Sequence, residues 1–500
     1  METATLTRRP GPGPRPAPAD AGSRSRTRRL LPVLGFVVLL VAALVAFFLF
    51  PTYPNYDSYY SLVWAREVVS GHLPSFDAYR APTEHPLAVL FGIVLLPFGQ
   101  GADRIMLLAT LLSFVAIVVA LYRLATTAFT PVVGLIAAVL LCTRFDFPFL
   151  AIRGYIDVPY LAFVIWAAAL EARSPRRGVP VLVLLGLAGL MRPEAWLLGG
   201  LYWLWVAYPA SWRRRIGLGA LMVAAPLLWV LTDFVATGQP LFSLTHTSGL
   251  AEELGRSRTP AEIPGATVRF LAGLVKVQVF YVAVVGVLVG LYLAPRRAAV
   301  PFALLVAGTG TFLLLGVAGF SVIDRYLLAP SLMLMVFAGV AAGGWTMLER
   351  GRVRTAWTAL AALAVLGAVV LTATRVNLSS SAGDLVYRGD AHASLERVLA
   401  DPAVVAGRRC GPVSVPNHKL VPDTRWVLDA PESGVLARAD PTTAARVARG
   451  GVALVVTDRT ALLRQAIVDD ADDPLDSVPP AGYERVATTK YYGAYVKCPG

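Results

Sequence analysis

The feature that most constrains this chain is a series of apolar runs separated by short loops that carry arginine. The runs fall at 30–50, 105–122, 131–143, 154–170, 179–191, 194–209, 216–232, 267–293, 298–318, 326–347 and 355–374. About 20 apolar residues suffice for a helix to cross a bilayer, so most of these runs read as membrane-spanning helices. A further run at 86–98 is too short. Thirteen helical residues reach ~20 Å against a hydrocarbon core of ~30 Å, so a re-entrant or juxtamembrane helix is expected there.

Composition supports the same class. Of 500 residues, 56% are hydrophobic and 15% charged, where a soluble domain carries roughly 25% charged residues. The mean hydropathy is +0.61. A soluble enzyme and a disordered chain are thereby excluded, and three cysteines exclude a disulfide-rich scaffold. Net charge is +13, and only four of the 45 basic residues are lysine. That usage, rich in Ala, Val, Gly, Arg and Pro, points to a GC-rich bacterial genome.

The basic residues sit mainly between apolar runs, in Arg173–Arg177, Arg213–Arg215, Arg296–Arg297 and Glu349–Arg354. Such short basic loops belong on the cytoplasmic side, and this pattern displaces nucleic-acid binding as the reason for the charge. The longer loops 51–85 and 233–266 have mixed charge and are expected outside. The break Arg192-Pro193-Glu194 divides 179–209 into two short helices. Counting from both ends gives about eleven crossings of a plasma membrane, with the N-terminus cytoplasmic. Residues 1–29 read as a disordered basic tail and 30–50 as an uncleaved signal anchor.

After residue 375 the charge density becomes ordinary. Strands are expected at 411–415 and 451–457, a helix at 440–449 and a strand or hairpin within 483–497. Residues 376–500 therefore read as a small extracytoplasmic α/β domain. Cys410 and Cys498 lie beside its strands, in a compartment where they can pair. Cys142 reads as a buried thiol.

Ionisable residues beside membrane helices are costly and mark function. Here they gather on the outer side: Asp57, Glu84 and His85; Asp146, Arg153 and Asp157; Arg192 and Glu194; His246; Asp324 and Arg325. A transporter or flippase, the alternative reading, would hold several at the bilayer midplane. A cluster at one face fits chemistry done at that face. Asp57 opens an amphipathic helix that ends at Gly71, so it reads either as a helix cap or as a general base. Tyr56, Tyr59, Tyr60 and Trp64 read either as sugar-stacking faces or, for most of them, as an interfacial belt.

An ordered set of motifs carries a resemblance. Asp57 lies early in the first loop, followed by Gly71-His-Leu-Pro74 and Glu84-His85-Pro86-Leu87. Asp157-Val-Pro-Tyr160, Arg192-Pro-Glu194 and Asp324-Arg325-Tyr326 come later. The set resembles the GT-C superfamily of integral-membrane glycosyltransferases, most nearly its protein-mannosyltransferase and aminoarabinose-transferase branch, over residues 30–375. The resemblance implies sugar transfer, usually inverting, from a polyprenyl-phosphate sugar to a hydroxyl of a glycan, glycolipid or protein. Membrane lipids surround it. A hexose such as mannose and a pentose are equally open.

The carried-over base is Asp57, which here precedes Ser58 where many relatives have a second acid; Asp157 is a candidate assistant. Phosphate wants the planar, permanently charged fork of arginine, which points to Arg325, Arg192 and Arg153. Glu84, His85, Glu194 and Tyr326 complete the expected substrate site. Structural alternatives stand beside these roles: Arg325 paired to Asp324, Arg192 to Glu194, and His85 as a helix entry. No cofactor is required, and a divalent metal is left open, because Asp57, Glu84, His85 and Asp157 have no diagnostic spacing. Gly-rich phosphate loops, H-E-x-x-H and G-x-S-x-G are absent.

Overall fold

The computed structural model describes residues 21–144, 146–375, 378–459, 461–462 and 474–499. Most of the expected tail, residues 1–20, lies outside the described residues. The first helix, α1 (Ala21–Leu49), begins before the apolar run.

The first loop then folds into α2 (Tyr56–Val69), which is opened by Asn55. The Asn55 side chain accepts from Ser58 N at 3.2 Å. Asn55 is thus the cap, and Asp57, in the first turn, is spared that role. The short run at 86–98 becomes α3 (Pro86–Leu95) and a 3₁₀ turn Leu96–Gly101 leading into α4 (Ala102–Ala128). Then follow α5 (Pro131–Thr143), α6 (Asp146–Ile152), α7 (Asp157–Arg173), α8 (Val179–Gly189) and α9 (Glu194–Ala207).

Next come α10 (Trp212–Thr237) and α11 (Phe242–Glu253), a helix inside what the sequence suggested was loop 233–266. The run 267–293 is not one helix. It divides into α12 (Ile263–Val275) and α13 (Val277–Leu293), which meet at 104°. Lys276 between them has φ +74°, a left-handed conformation that no helix interior accommodates. Then come α14 (Pro295–Val317), α15 (Leu328–Gly343) and α16 (Arg352–Arg375).

Among the described residues, five helical stretches are long and apolar enough to cross a bilayer, and two bent pairs bring the number to seven. The expectation was about eleven. The difference lies partly in α8 and α9, which have 11 and 14 residues because Arg192-Pro193 interrupts them. In α15 every residue from Leu328 to Val340 is buried. A helix apolar all round belongs at the centre of a bundle. It lies so close to α13 that a Cβ on Gly286 would stand 1.8 Å from the Phe337 carbonyl oxygen. Small residues permit such backbone approach in helical membrane domains.

The remainder forms α17 (Leu378–Leu399), α18 (Pro402–Gly407), β1 (Val413–Val415), α19 (Val421–Leu428), β2 (Val435–Ala437), α20 (Ala444–Arg449), β3 (Gly451–Val456), β4 (Glu484–Thr488) and β5 (Tyr492–Lys497). The sheet order is β2-β1-β3-β5-β4. β1 runs parallel to β2 and β3, and β5 is antiparallel to β3 and β4. The three-residue β2 was not foreseen, because Val435-Leu-Ala437 is too short to show alternation. A disulfide joins Cys410, just before β1, to Cys498, just after β5.

This small domain docks on the first loop through α19. Trp426 shares a buried cluster with Tyr59, Leu62 and Val63 of α2. Arg425, wholly buried, pairs with Glu67 and donates to Ser75 Oγ at 3.1 Å. Arg66 in turn donates to Asp429 at 2.5 Å and lies 4.6 Å over the Trp426 ring. Removing one member of a buried ion pair strands the other charge, at a cost of about 3–5 kcal/mol, whereas replacing both with apolar groups is far less costly. Arg425→Met alone should therefore lower the thermal midpoint of the purified protein markedly. The double variant Arg425→Met/Glu67→Met should recover much of the loss, measured by unfolding in detergent.

Candidate active site

Two chain turns bring the first loop against α7. Gly154 adopts φ +67°, and a Cβ there would stand 3.2 Å from Pro54 Cα. The Gly154 carbonyl accepts from Ser58 Oγ at 2.5 Å, and the Thr52 hydroxyl donates to the Ile152 carbonyl. The N-terminal turns of α2 and α7 are thereby held side by side. Their first-turn acids, Asp57 and Asp157, line one cavity of about 460 Å³ between the helical bundle and the C-terminal domain.

Between these acids stands Arg325, in the 3₁₀ turn Asp324–Leu327 that precedes α15. Its Nη1 is 3.4 Å from Asp57 Oδ2 and 3.5 Å from Asp157 Oδ2. Asp157, 2% exposed, also pairs with Arg192 Nη1. Arg192 Nη2 continues to Glu194 Oε1 at 2.9 Å. The result is an alternating chain, Asp57–Arg325–Asp157–Arg192–Glu194, that joins four segments of the fold. Tyrosine faces support it. Arg192 lies 4.7 Å over Tyr326, and Arg325 5.3 Å over Tyr155. A guanidinium stacked on an aromatic face keeps its edge free for an oxyanion.

Of the residues singled out from sequence, Asp57, His85, Arg153, Asp157, Arg192, Arg325 and Tyr326 line this cavity. Arg325 faces Asp57 and Asp157. Arg192 does pair with Glu194, and lines the cavity as well. His85 reaches the lining, and its Nδ1–H donates to the Met191 carbonyl at 2.6 Å, which ties α3 to the Arg192 turn. Glu84 does not line the cavity. It is 2% exposed, accepts from Thr232 Oγ1 at 2.6 Å and sits beside Asp233 of α10. Burial pushes its carboxyl up to about 8. His246 stacks on Phe242 and donates to the Ala81 carbonyl at 3.1 Å. Asp146 pairs with Arg144, which also binds the α12 carbonyl of Leu274 at 2.7 Å.

The sequence reading missed the cavity's other half. Tyr387, Arg388 and His392 of α17, with His418, Lys419 and Asp423 of the C-terminal domain, complete the lining. His392 stacks on Tyr53 at 3.5 Å, and its Nδ1 is 3.4 Å from the hydroxyl of Tyr59. One signal was available: the chain has five histidines and four lysines, and His418-Lys419 places one of each side by side.

Among the described residues, no three His, Cys, Asp or Glu side chains converge as metal ligands. Asp57 and Asp157 are already balanced by guanidinium groups. This arrangement of charge suits an oxyanion.

No protein-family profile matches the chain, and no curated protein matches it in sequence. Solved structures do. ArnT from Cupriavidus metallidurans in the apo state aligns at TM-score 0.55 and 16% identity, covering 93% of this chain and 98% of that one. The chain shares its fold with that ArnT structure. ArnT bound to undecaprenyl phosphate aligns at TM-score 0.53 and 17% identity, over 92% and 98% of the two chains. At these identities the likeness is one of architecture. The shared fold covers the C-terminal domain as well as the helical bundle, because the alignment leaves little of either chain unmatched.

Asp423 yields a test of the missed half. Burial raises its carboxyl to about 6, with His392 opposing the shift. The folded protein therefore holds this proton where the unfolded chain, with an ordinary carboxyl near 4, has released it. Stability conferred by that proton falls as pH rises from about 4 to about 6 and is constant above. Asp423→Asn should flatten this part of the profile and raise the melting temperature above pH 6, read by thermal unfolding of both proteins from pH 4.5 to 7.5.

Proposed function

We propose that this protein is a membrane glycosyltransferase. It moves a sugar from a polyprenyl-phosphate sugar to an acceptor hydroxyl, on the extracytoplasmic face of the plasma membrane, with inversion. The observation that carries the reading is the pairing of Asp57 with Arg325 inside a cavity that also holds Asp157 and Arg192. A carboxylate to take a proton and guanidinium groups to take a phosphate stand within one small volume. The solved ArnT structure that contains undecaprenyl phosphate supports the choice of lipid. The N-terminus is cytoplasmic and the C-terminal domain extracytoplasmic on this reading.

The reaction follows from the charges. The acceptor oxygen attacks the anomeric carbon while its proton passes to Asp57. The bond from that carbon to the phosphate oxygen breaks, and the electron pair leaves with the phosphate. A phosphate needs charge compensation more than protonation, and Arg325, Arg192 and Arg153 supply it. Arg325 has two competing partners in this scheme. Free of donor it holds Asp57 Oδ2. When donor phosphate binds Arg325, the Asp57 oxygen is released to the acceptor. His85 and Tyr326 border the sugar, and Asp157 keeps both guanidinium groups aimed.

Purified protein in lipid, offered radiolabelled polyprenyl-phosphate sugars with host envelope extract, should transfer label. Asp57→Asn removes the base and should lower transfer by roughly 100-fold or more while donor still binds. Full transfer by the variant would remove Asp57 from this role. No transfer by either protein, with movement of lipid-linked sugar across liposomes, would make the chain a transporter.

A further inference from the structure

Helices that meet at the cavity meet again at their other ends. α7 carries Asp157 at its start and Glu171 near its end, about 21 Å away at ~1.5 Å per residue. α9 leads away from Glu194 over a similar length, and α10 begins just beyond it. Leu182 of α8, Val206 of α9 and Leu218 of α10 share a buried cluster there. Among the described residues that line the cavity, none falls within 171–178 or 202–215.

The loop from α7 to α8 is built around Glu171, the only acid in 171–178 and 208–215. Glu171 is 6% exposed. It accepts from the amides of Arg176 at 2.7 Å and Arg177 at 3.3 Å, from the Tyr202 hydroxyl at 2.7 Å and from Trp205 Nε1 at 3.1 Å. Its two oxygens are thus occupied by neutral donors, and no guanidinium takes them. Arg176 adopts φ +60° in this loop and lies 4.4 Å over the Trp205 ring. From α10, Arg214 reaches the same loop, where a Cβ on Gly178 would stand 3.5 Å from its Nη2. Arg215 has a separate task, donating to the carbonyls of Tyr208 and Ala210 at 2.8 Å. Arg176, Arg177, Arg213 and Arg214 are exposed, and among the described residues none has an ion pair or a side-chain hydrogen bond.

Aromatic rings border these charges. Tyr208 is 83% exposed and Trp212 73%. Rings so open to their surroundings belong at the headgroup level of a bilayer. Trp212 opens α10, one of the helices able to cross one. A topological signal needs only that arginines be present. Here a buried acid shapes one loop, and a segment nearly 40 residues further on brings its guanidinium groups against it.

We propose that Arg176, Arg177, Arg213 and Arg214, bordered by Tyr208 and Trp212, bind the phosphate of an anionic phospholipid. The guanidinium groups take the phosphate oxygens, and the rings lie along the glycerol and upper acyl carbons. A zwitterionic lipid has the same phosphate, but the arginines repel its ammonium group. The site stands at the opposite end of the bundle from the cavity and does not depend on the transferase reading.

The test titrates the full-length protein in neutral detergent with phosphatidylglycerol or phosphatidylcholine and counts bound lipid by native mass spectrometry. Phosphatidylglycerol should bind at least about tenfold tighter. Arg213→Gln/Arg214→Gln and Arg176→Gln/Arg177→Gln should each weaken it about 30-fold, the effect of two basic residues near an anionic headgroup. Arg296→Gln/Arg297→Gln removes the same charge from another short basic loop and should change binding less than about twofold. Raising salt from about 0.1 M to about 0.5 M should release phosphatidylglycerol from the wild type, a measurement that needs no variant. Equal binding of the two lipids, or phosphatidylglycerol held equally at both salts, overturns the proposal. So does a loss in the Arg296/Arg297 variant as large as in the other two, which would make the attraction diffuse.

Discussion

The alternation of charge along Asp57, Arg325, Asp157, Arg192 and Glu194 is the constraint around which the rest is arranged. Each member belongs to a segment whose position is set by something else: α2 by Asn55 and Gly154, α7 by its own first turn, the Arg192 turn by Pro193, and Arg325 by the 3₁₀ entry to the central helix. Isolated charges at these depths would each carry a large desolvation cost. Linked, each acid is compensated by one or two bases, and each base by two acids. The same linkage makes the site responsive. An entering anion must displace a carboxylate from a guanidinium, so binding at one end of the chain alters the charge available at the other.

The C-terminal domain is part of this arrangement. Through α19 it holds the far end of α2 by Arg425, Glu67 and Trp426, and through His418 it meets the near end, edge-on to Tyr56 at 5.5 Å. One short helix and the turn before it thus touch both ends of the helix that carries Asp57. The fold agrees with that dependence, since the likeness to ArnT extends over 93% of this chain.

The sequence was legible where a single physical rule dominates. Apolar runs located most helices, because nothing but length and hydropathy decides them. Acids and arginines beside those runs led to five of the cavity residues, because charge near a membrane is rare enough to be conspicuous. It was illegible where a partner far along the chain decides. Glu84 looked like its neighbour His85, yet it turns toward Thr232 and Asp233, which no local pattern reveals. Lys276 breaks a run that is otherwise uniformly apolar, through a backbone conformation that hydropathy does not encode. His392, His418 and Asp423 sit in a stretch of ordinary composition, where a polar residue attracts no notice. Asp57 showed the opposite case. Its two readings were separated by one atom, the Asn55 side-chain oxygen that takes over the capping bond.

The lining of the cavity runs from Tyr53 to Tyr492. Its floor is laid down in the first two-thirds of the chain and its roof in the last quarter. A chain halted during synthesis before α17 would expose the arginine-rich floor with nothing above it. Completion of the cavity therefore waits on α17 and the strands that follow it. The Cys410–Cys498 link closes only when the final strand is in place, so an oxidised domain is also the chemical record that the cavity has been roofed.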